Sequence, residues 1–338
     1  MLLPSQEIHS KAFRWGSARL RLLSRRGRPD VAEVYVGEFE GHPHSRVEFV
    51  DGLDTKLSRK EKWIINISTQ VGCPIACLFC DAGGDFHGNL GVDEMLAQAL
   101  YVSSRHPMLV KTCAKLKIHF ARMGEPALND SVPEAIARLP ESFGNPNLWC
   151  CLATTAPAGR ESWFERLLDV KESLFRGRFQ LQFSVNSTDD AERAWLMPAR
   201  LWSLEEIARY GETWFRPDDR RVVLNFALAD GISFDIDRIK SCFDPGIFAV
   251  KLTPVNPTRR GKDAGLRTLL RNQRKRKATD RACDDLRVAG YEVIISVGDG
   301  REDLIGSNCG QAVLLLPEEK KNDPVIESLI RTRRAGTP

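Results

Sequence analysis

The sequence has no apolar run near the roughly 20 residues that a membrane-spanning helix needs; Ala312–Leu316 is among its longest. Met1–Lys11 carries polar and charged side chains where a secretory signal would place its apolar core. A soluble, cytoplasmic protein without a membrane partner is therefore expected. Charge of one sign is scarce too: 49 Lys+Arg against 45 Asp+Glu leave a net +4, too little by itself to indicate a nucleic-acid binder. Internal repeats, low-complexity segments and Gly/Ser linkers are absent, which argues against solenoids and loosely tethered modules. What is present is a globular composition, 42% hydrophobic and 28% charged over 338 residues, enough for one large or two ordinary domains. Nine cysteines in a chain of this kind point to metal or thiol chemistry before disulfides.

From about residue 62, β-branched and aromatic runs alternate with amphipathic stretches, the pattern of βα units around a parallel sheet. Strands are expected at 62–69, 115–122, 148–155, 178–187, 221–229 and 248–256, with a seventh at 291–297. Helices are expected at 92–104, 132–139, 163–170, 204–215 and 234–242, several opened by a capping Asp or Ser, and a long basic helix at 265–289. Six βα units are too few for the eight-fold barrel. The expected fold is thus α/β, a partial (β/α)6 TIM-type barrel over 62–257, with its functional loops at the C-terminal ends of the strands. Residues 1–61, with short antiparallel strands at 31–39 and 46–50, form a small β-rich extension, and 258–338 add the basic helix, the last strand and a C-terminal cysteine loop.

After the first parallel strand stands Gly72-Cys73-Pro74-Ile75-Ala76-Cys77-Leu78-Phe79-Cys80, three cysteines spaced C-x3-C-x2-C. Three soft thiolates on one loop can ligate three irons of a [4Fe-4S] cluster, leaving the fourth iron open. An open iron can chelate the amino and carboxylate groups of S-adenosyl-L-methionine (SAM), and an electron passed to the sulfonium then yields a 5'-deoxyadenosyl radical. A zinc knuckle or chance burial of cysteines is the alternative, but no second cysteine or histidine pair stands at zinc-site spacing.

With this triplet the chain resembles the radical SAM superfamily, and within it the RlmN/Cfr-type methyltransferases, which methylate an RNA adenine carbon. The resemblance covers about residues 62–315. Its pieces are Ser68–Cys73, Asn89-Leu90, Met123-Gly124-Glu125-Pro126 with Asn129, Thr154-Thr155, Phe183–Asn186, Leu196-Met197-Pro198, Val255-Asn256-Pro257 and Cys309-Gly310-Gln311. It implies that Cys73, Cys77 and Cys80 hold the cluster and that Gly124 and Glu125 receive the SAM ammonium. Thr154, Thr155, Ser184, Asn186 and Asn256 would then bind its carboxylate and ribose hydroxyls, although the family usually has His at the position of Asn186. Cys309 matches the methyl-carrying cysteine, and an external electron donor of the flavodoxin or ferredoxin type is implied. Read without the resemblance, Glu125 could be a loop acid capping the next helix, the strand-end residues could satisfy turns, and Cys309 could be a buried small hydrophobe.

Two departures bear on the substrate. The family's product-releasing cysteine, seven residues before the first cluster cysteine, is here Asn66, and its separate N-terminal RNA-binding domain has no counterpart among the 72 residues before Cys73. Cys113, Cys150 and Cys151 read as core residues. Between residues 259 and 281, ten Lys or Arg face only Asp263 and Asp280, a local +8 that leaves about −4 for the rest. Arg259, Arg260 and Lys262, just past the sixth strand, could clamp a substrate phosphate, while Arg274–Lys277 could equally be a solvated helix face. The favoured reading is carbon–carbon bond formation on a small nucleoside or sugar-nucleotide in biosynthesis. RNA adenine methylation through Cys309, with RNA as partner, is the alternative, and a passive iron–sulfur protein the third.

Overall fold

The computed structural model describes residues 6–7, 12–40, 46–54, 56–269, 273–297, 305 and 311–316. Five strands open the chain: β1 (Gln6–Glu7), β2 (Phe13–Trp15), β3 (Ala18–Arg28), β4 (Ala32–Phe39) and β5 (Val47–Leu53). Next come β6 (Trp63–Ile67), the hairpin β7 (Gln70–Cys73) and β8 (Gly84–Asn89), and the helices α1 (Val92–Ser104) and α2 (Pro107–Thr112). β9 (Leu116–Phe120), α3 (Val132–Ala137) and α4 (Leu139–Phe143) follow, then β10 (Leu148–Thr154), α5 (Glu161–Leu174), β11 (Phe179–Ser184), α6 (Asp190–Leu196) and α7 (Leu204–Trp214). The rest is β12 (Val222–Leu228), α8 (Ile236–Cys242), β13 (Phe248–Pro254), α9 (Arg259–Asp263), α10 (Gln273–Val288), β14 (Glu292–Ile295) and α11 (Gln311–Leu314).

All strands except the β7–β8 hairpin share one sheet, ordered β1-β3-β4-β5-β6-β9-β10-β11-β12-β13-β14 with β2 also on β3. From β6 to β14 the seven strands are parallel and follow chain order. The sheet does not close, because β6 pairs with β5 in antiparallel register, Val50 opposite Asn66, instead of with β14. An open, partial barrel in α/β order is thus what the periodicity predicted. The N-terminal strands continue the same sheet. In β3 the residues Ala18, Leu20 and Leu22 point to the core while Arg19 and Arg21 point out to Glu40 and Glu38 of the neighbouring strand.

Burial alternates along the parallel strands. Trp63, Ile65 and Ile67 of β6 and Leu116, Ile118 and Phe120 of β9 are buried in the main core with residues of α1, α5 and α7, whereas Ile64, Asn66, Lys117 and His119 between them stay partly exposed. One face of the sheet therefore packs on helices, and the other is partly exposed along β6, β9 and β11 while Cys151, Val223 and Asn225 on it are buried. The sheet curls about that open face: Lys117 on β9 and Lys251 on β13 act on each other electrostatically although three strands separate them.

Helix starts obey their caps. Asp189, Ser203 and Asp235 accept backbone N–H bonds at the starts of α6, α7 and α8, and Ser203 with Glu206 completes a capping box. The expected basic helix at 265–289 begins later. Gly265 has φ +71° and Thr268 bridges to Ala229, so the backbone turns back before α10. Among the described residues no helix is long and apolar enough to cross a membrane.

Candidate active site

Every sequence-predicted site residue that is described lies at or beyond the C-terminal end of a parallel strand. The cysteine loop leaves β7 and returns through β8. Gly72 makes this hairpin possible: at φ +74° a Cβ would lie 2.2 Å from the Asp85 carbonyl oxygen. Cys73 and Cys77 are buried and Cys80 partly so, and none is in a disulfide. Ile75, Leu196 and Met197 pack around them.

Hydrogen bonds from distant parts of the chain hold this loop. Leu78 N–H donates to the Leu196 carbonyl (2.9 Å), and Thr258 Oγ1 donates to the Phe79 carbonyl (3.0 Å). The buried Asp81 carboxylate accepts the backbone N–H groups of Arg259 and Arg260, both at 3.0 Å. Arg260 then turns its guanidinium onto the loop, Nε to the Cys77 carbonyl (3.2 Å) and Nη2 to the Ala76 carbonyl (2.7 Å). Sequence reasoning gave Arg260 to a substrate phosphate; the structure places it under the cysteines, with Arg259 and Lys262 exposed nearby. Asp81 and Thr258 were missed, since their partners lie nearly 180 residues away.

Burial pushes the Cys73 thiol up to about 12, and burial with the neighbouring Cys80 and Cys73 thiols pushes Cys77 well above the ordinary range. Such thiols are poor nucleophiles on their own. They ionise when a cation sits among them, as ligation by soft metal requires. Among the described residues no three His, Cys, Asp or Glu side chains converge on a point that would hold a single ion. A four-iron cube does not ask for convergence, because each thiolate takes a different corner. Cys73 and Cys77, raised by burial and by neighbouring thiols, together with Cys80 on the same loop and outside any disulfide, fit such a cluster.

Glu125 lies within electrostatic range of Cys73 and Cys77. Its buried carboxylate accepts bonds from Thr154 Oγ1, Thr155 N–H (2.7 Å), Thr155 Oγ1 (2.9 Å) and Ala127 N–H (3.0 Å). Burial still raises its pKa above the usual carboxylate value, the hydrogen bonds opposing. Its backbone N–H donates to Gln70 Oε1 (2.8 Å), and Gln70 in turn donates to Asn89 (2.7 Å). Asn129 spans the Thr69 and Leu90 carbonyls at 2.7 and 2.9 Å. Gly124, at φ +100°, admits no side chain: a Cβ would lie 2.6 Å from Gln70 Cβ. The motif pieces scattered over residues 68–155 are one network.

The other expected residues ring the same end less tightly. Ser184 ends β11, half-buried. Asn186 adopts φ +64°, accepts from Ala227 N–H (3.1 Å) and donates to Met197 Sδ (3.2 Å). Asn256 is exposed just past β13. Asn66, opposite His119 in register, faces the open side of the sheet, while Cys113 and Cys150 are core. Cys309 lies outside the described residues, as do the side chains of Arg274–Lys277. On either side of Cys309, Ile305 packs with Val34, Val36 and Val50, and α11 sets the Ala312 N–H on Glu48 (3.0 Å), which pairs with Arg122 just after β9.

This geometry has known counterparts. A crystal structure of a radical SAM methyltransferase from Sphaerobacter thermophilus superposes with TM-score 0.67, covering 86% of this chain and 80% of that one at 22% identity. The fold is that of a radical SAM methyltransferase. No family model matches the chain. A probable RNA methyltransferase of Pseudomonas paraeruginosa is 32% identical over 254 residues, which are 70% of this chain and 68% of that protein. A probable dual-specificity RNA methyltransferase RlmN of Nostoc punctiforme is 27% identical over 277 residues, 74% and 72% of the two chains, and the chain spans 64% of the Heliobacterium modesticaldum RlmN. The chain belongs to the RlmN/Cfr-type radical SAM methyltransferases.

Proposed function

We propose that the chain methylates a base of RNA. The observation that carries this reading is the 254-residue likeness to a probable RNA methyltransferase, which favours RNA over the small-nucleoside substrate that the sequence alone suggested. Cys73, Cys77 and Cys80 would hold the [4Fe-4S] cluster, and Glu125, Thr154, Thr155, Ser184, Asn186 and Asn256 would seat SAM. When bound, the cluster supplies the electron that cleaves the SAM sulfonium. The chain's own part is positioning: Arg260 and Asp81 fix the cysteine loop, and Gln70 and Gly124 fix the backbone that carries Glu125. Cys309 is proposed as the methyl-carrying thiol, and the basic stretch 259–281 as an RNA contact.

A nucleotide monomer as substrate is the second reading, favoured by Asn66, which has no thiol to release a covalent product. Anaerobic reconstituted protein given methyl-labelled SAM and RNA separates the two. RNA methylation predicts label in RNA, loss of labelled product but continued deoxyadenosine formation in Cys309→Ala, and RNA affinity that falls steeply with salt. Salt-insensitive labelling of a mononucleotide, with none in RNA, would reject it.

A further inference from the structure

The open face of the sheet carries a second polar constellation, half a strand below Glu125. The run Lys115-Leu116-Lys117-Ile118-His119-Phe120 alternates strictly: Leu116, Ile118 and Phe120 are buried against the helices, and Lys115, Lys117 and His119 point the other way. Lys251 enters from β13 and donates to Gln182 Oε1 on β11 (3.2 Å). Lys115 Nζ stands 3.8 Å from the centre of the Trp149 ring, and Lys117 reaches the Cys151 thiol. No ion pair among the described residues engages Lys115, Lys117, His119 or Lys251, and the buried His119 Nε2 has no hydrogen-bond partner. Asp54 pairs with Lys62, Glu292 with Arg221 and Glu48 with Arg122.

We propose that this cationic face is a phosphate site, formed by Lys117, His119 and Lys251 with Lys115 at its outer edge. Like charges gathered without a counter-ion cost free energy, and the cost is visible. Burial and then the charges of Lys117 and Lys251 hold the His119 imidazole well below its ordinary range, and burial and then Lys117 lower Lys251. A tetrahedral dianion entering from the water-exposed side would reverse each of these repulsions and give His119 an acceptor. A carboxylate offers less charge and fewer acceptors to donors that approach from opposite strands. The site does not depend on the methylation reading, because it is assayed without cluster, SAM or turnover.

The test is calorimetric titration of the full chain, in phosphate-free buffer, with inorganic phosphate, adenosine 5'-monophosphate, adenosine and a short RNA lacking terminal phosphates. Saturable binding of phosphate and of the monophosphate, but not of adenosine, is expected, weakened about tenfold or more in Lys117→Gln/Lys251→Gln and retained in Lys117→Arg. The double variant removes unpaired cations and should melt no lower than the parent, so lost binding is separable from lost folding. In labelled protein, phosphate should also move the His119 imidazole titration upward. Competition by the RNA assigns the phosphate to a nucleic-acid backbone, and its failure to compete assigns it to a free nucleotide; either supports the site. No saturable phosphate binding, or equal affinity in the double variant, overturns it.

Discussion

At the C-terminal end of the parallel strands the Glu125 carboxylate takes four hydrogen bonds from Thr154, Thr155 and Ala127, and the backbone beneath it is pinned by Gln70 and Asn129. Lower on the same face, Lys117 and Lys251 act electrostatically on His119, and among the described residues none of the three is in an ion pair. One end is closed within the protein and its geometry is set before any ligand arrives. The other is electrostatically incomplete and gains most from what comes in. Preorganisation and unpaired charge are different signatures of a site, and the sheet carries both.

The comparison breaks hardest at the cysteine loop. Cys77→Ala should abolish the iron–sulfur absorbance of anaerobically reconstituted protein together with all 5'-deoxyadenosine formation, while phosphate binding on the open face survives. Persistence of either cluster signal would detach the three cysteines from the chemistry assigned to them. A smaller effect is expected from Gly124→Ala, which sets a Cβ 2.6 Å from Gln70 Cβ and 2.7 Å from Thr69 Oγ1 at φ +100°. A cost of about 1–3 kcal/mol in denaturant unfolding, with weakened SAM binding, would show that the upper network is rigid. An unchanged midpoint would mean that it yields.

Much of the fold was legible because burial has a period. The parallel strands and α1 follow their apolar positions, and α7 and α8 start where Ser or Asp precedes them, whereas α6, capped by Asp189, was not expected. The hairpin β8, Gly-Asp-Phe-His-Gly-Asn, was not legible, since its residues have no strand pattern and it exists through positive-φ glycines at 72, 84 and 88. The Arg-rich β3 hid a clean alternation behind its charge. At the site, residue types and motif order were enough to gather Glu125, Thr154 and Thr155, whereas Asp81 beneath the cysteines and the Lys115-to-His119 ladder were missed. Polar residues alternating along a strand read as an ordinary solvated face; only the curl of the sheet turns that face inward on Lys251.

The smallest effect is the sharpest probe of the lower end. His119 is held neutral in the folded protein to a pH well below its ordinary value of 6.5. The unfolded chain binds a proton there as pH falls through about 6.5, and the folded chain does not. Between those two points the unfolded state binds more protons, so stability must fall as pH falls, at up to about 1.4 kcal/mol per pH unit for a single group. His119→Gln removes this dependence and leaves every other titration in place. The stability of the parent relative to His119→Gln should therefore decline steadily in urea unfolding from about pH 7 to pH 5. Saturating phosphate should shrink the decline, because an anion beside the imidazole lets the folded state take up the proton as well. A difference that does not vary with pH would mean that His119 already has its counter-charge, and the two ends of the sheet would then be built alike.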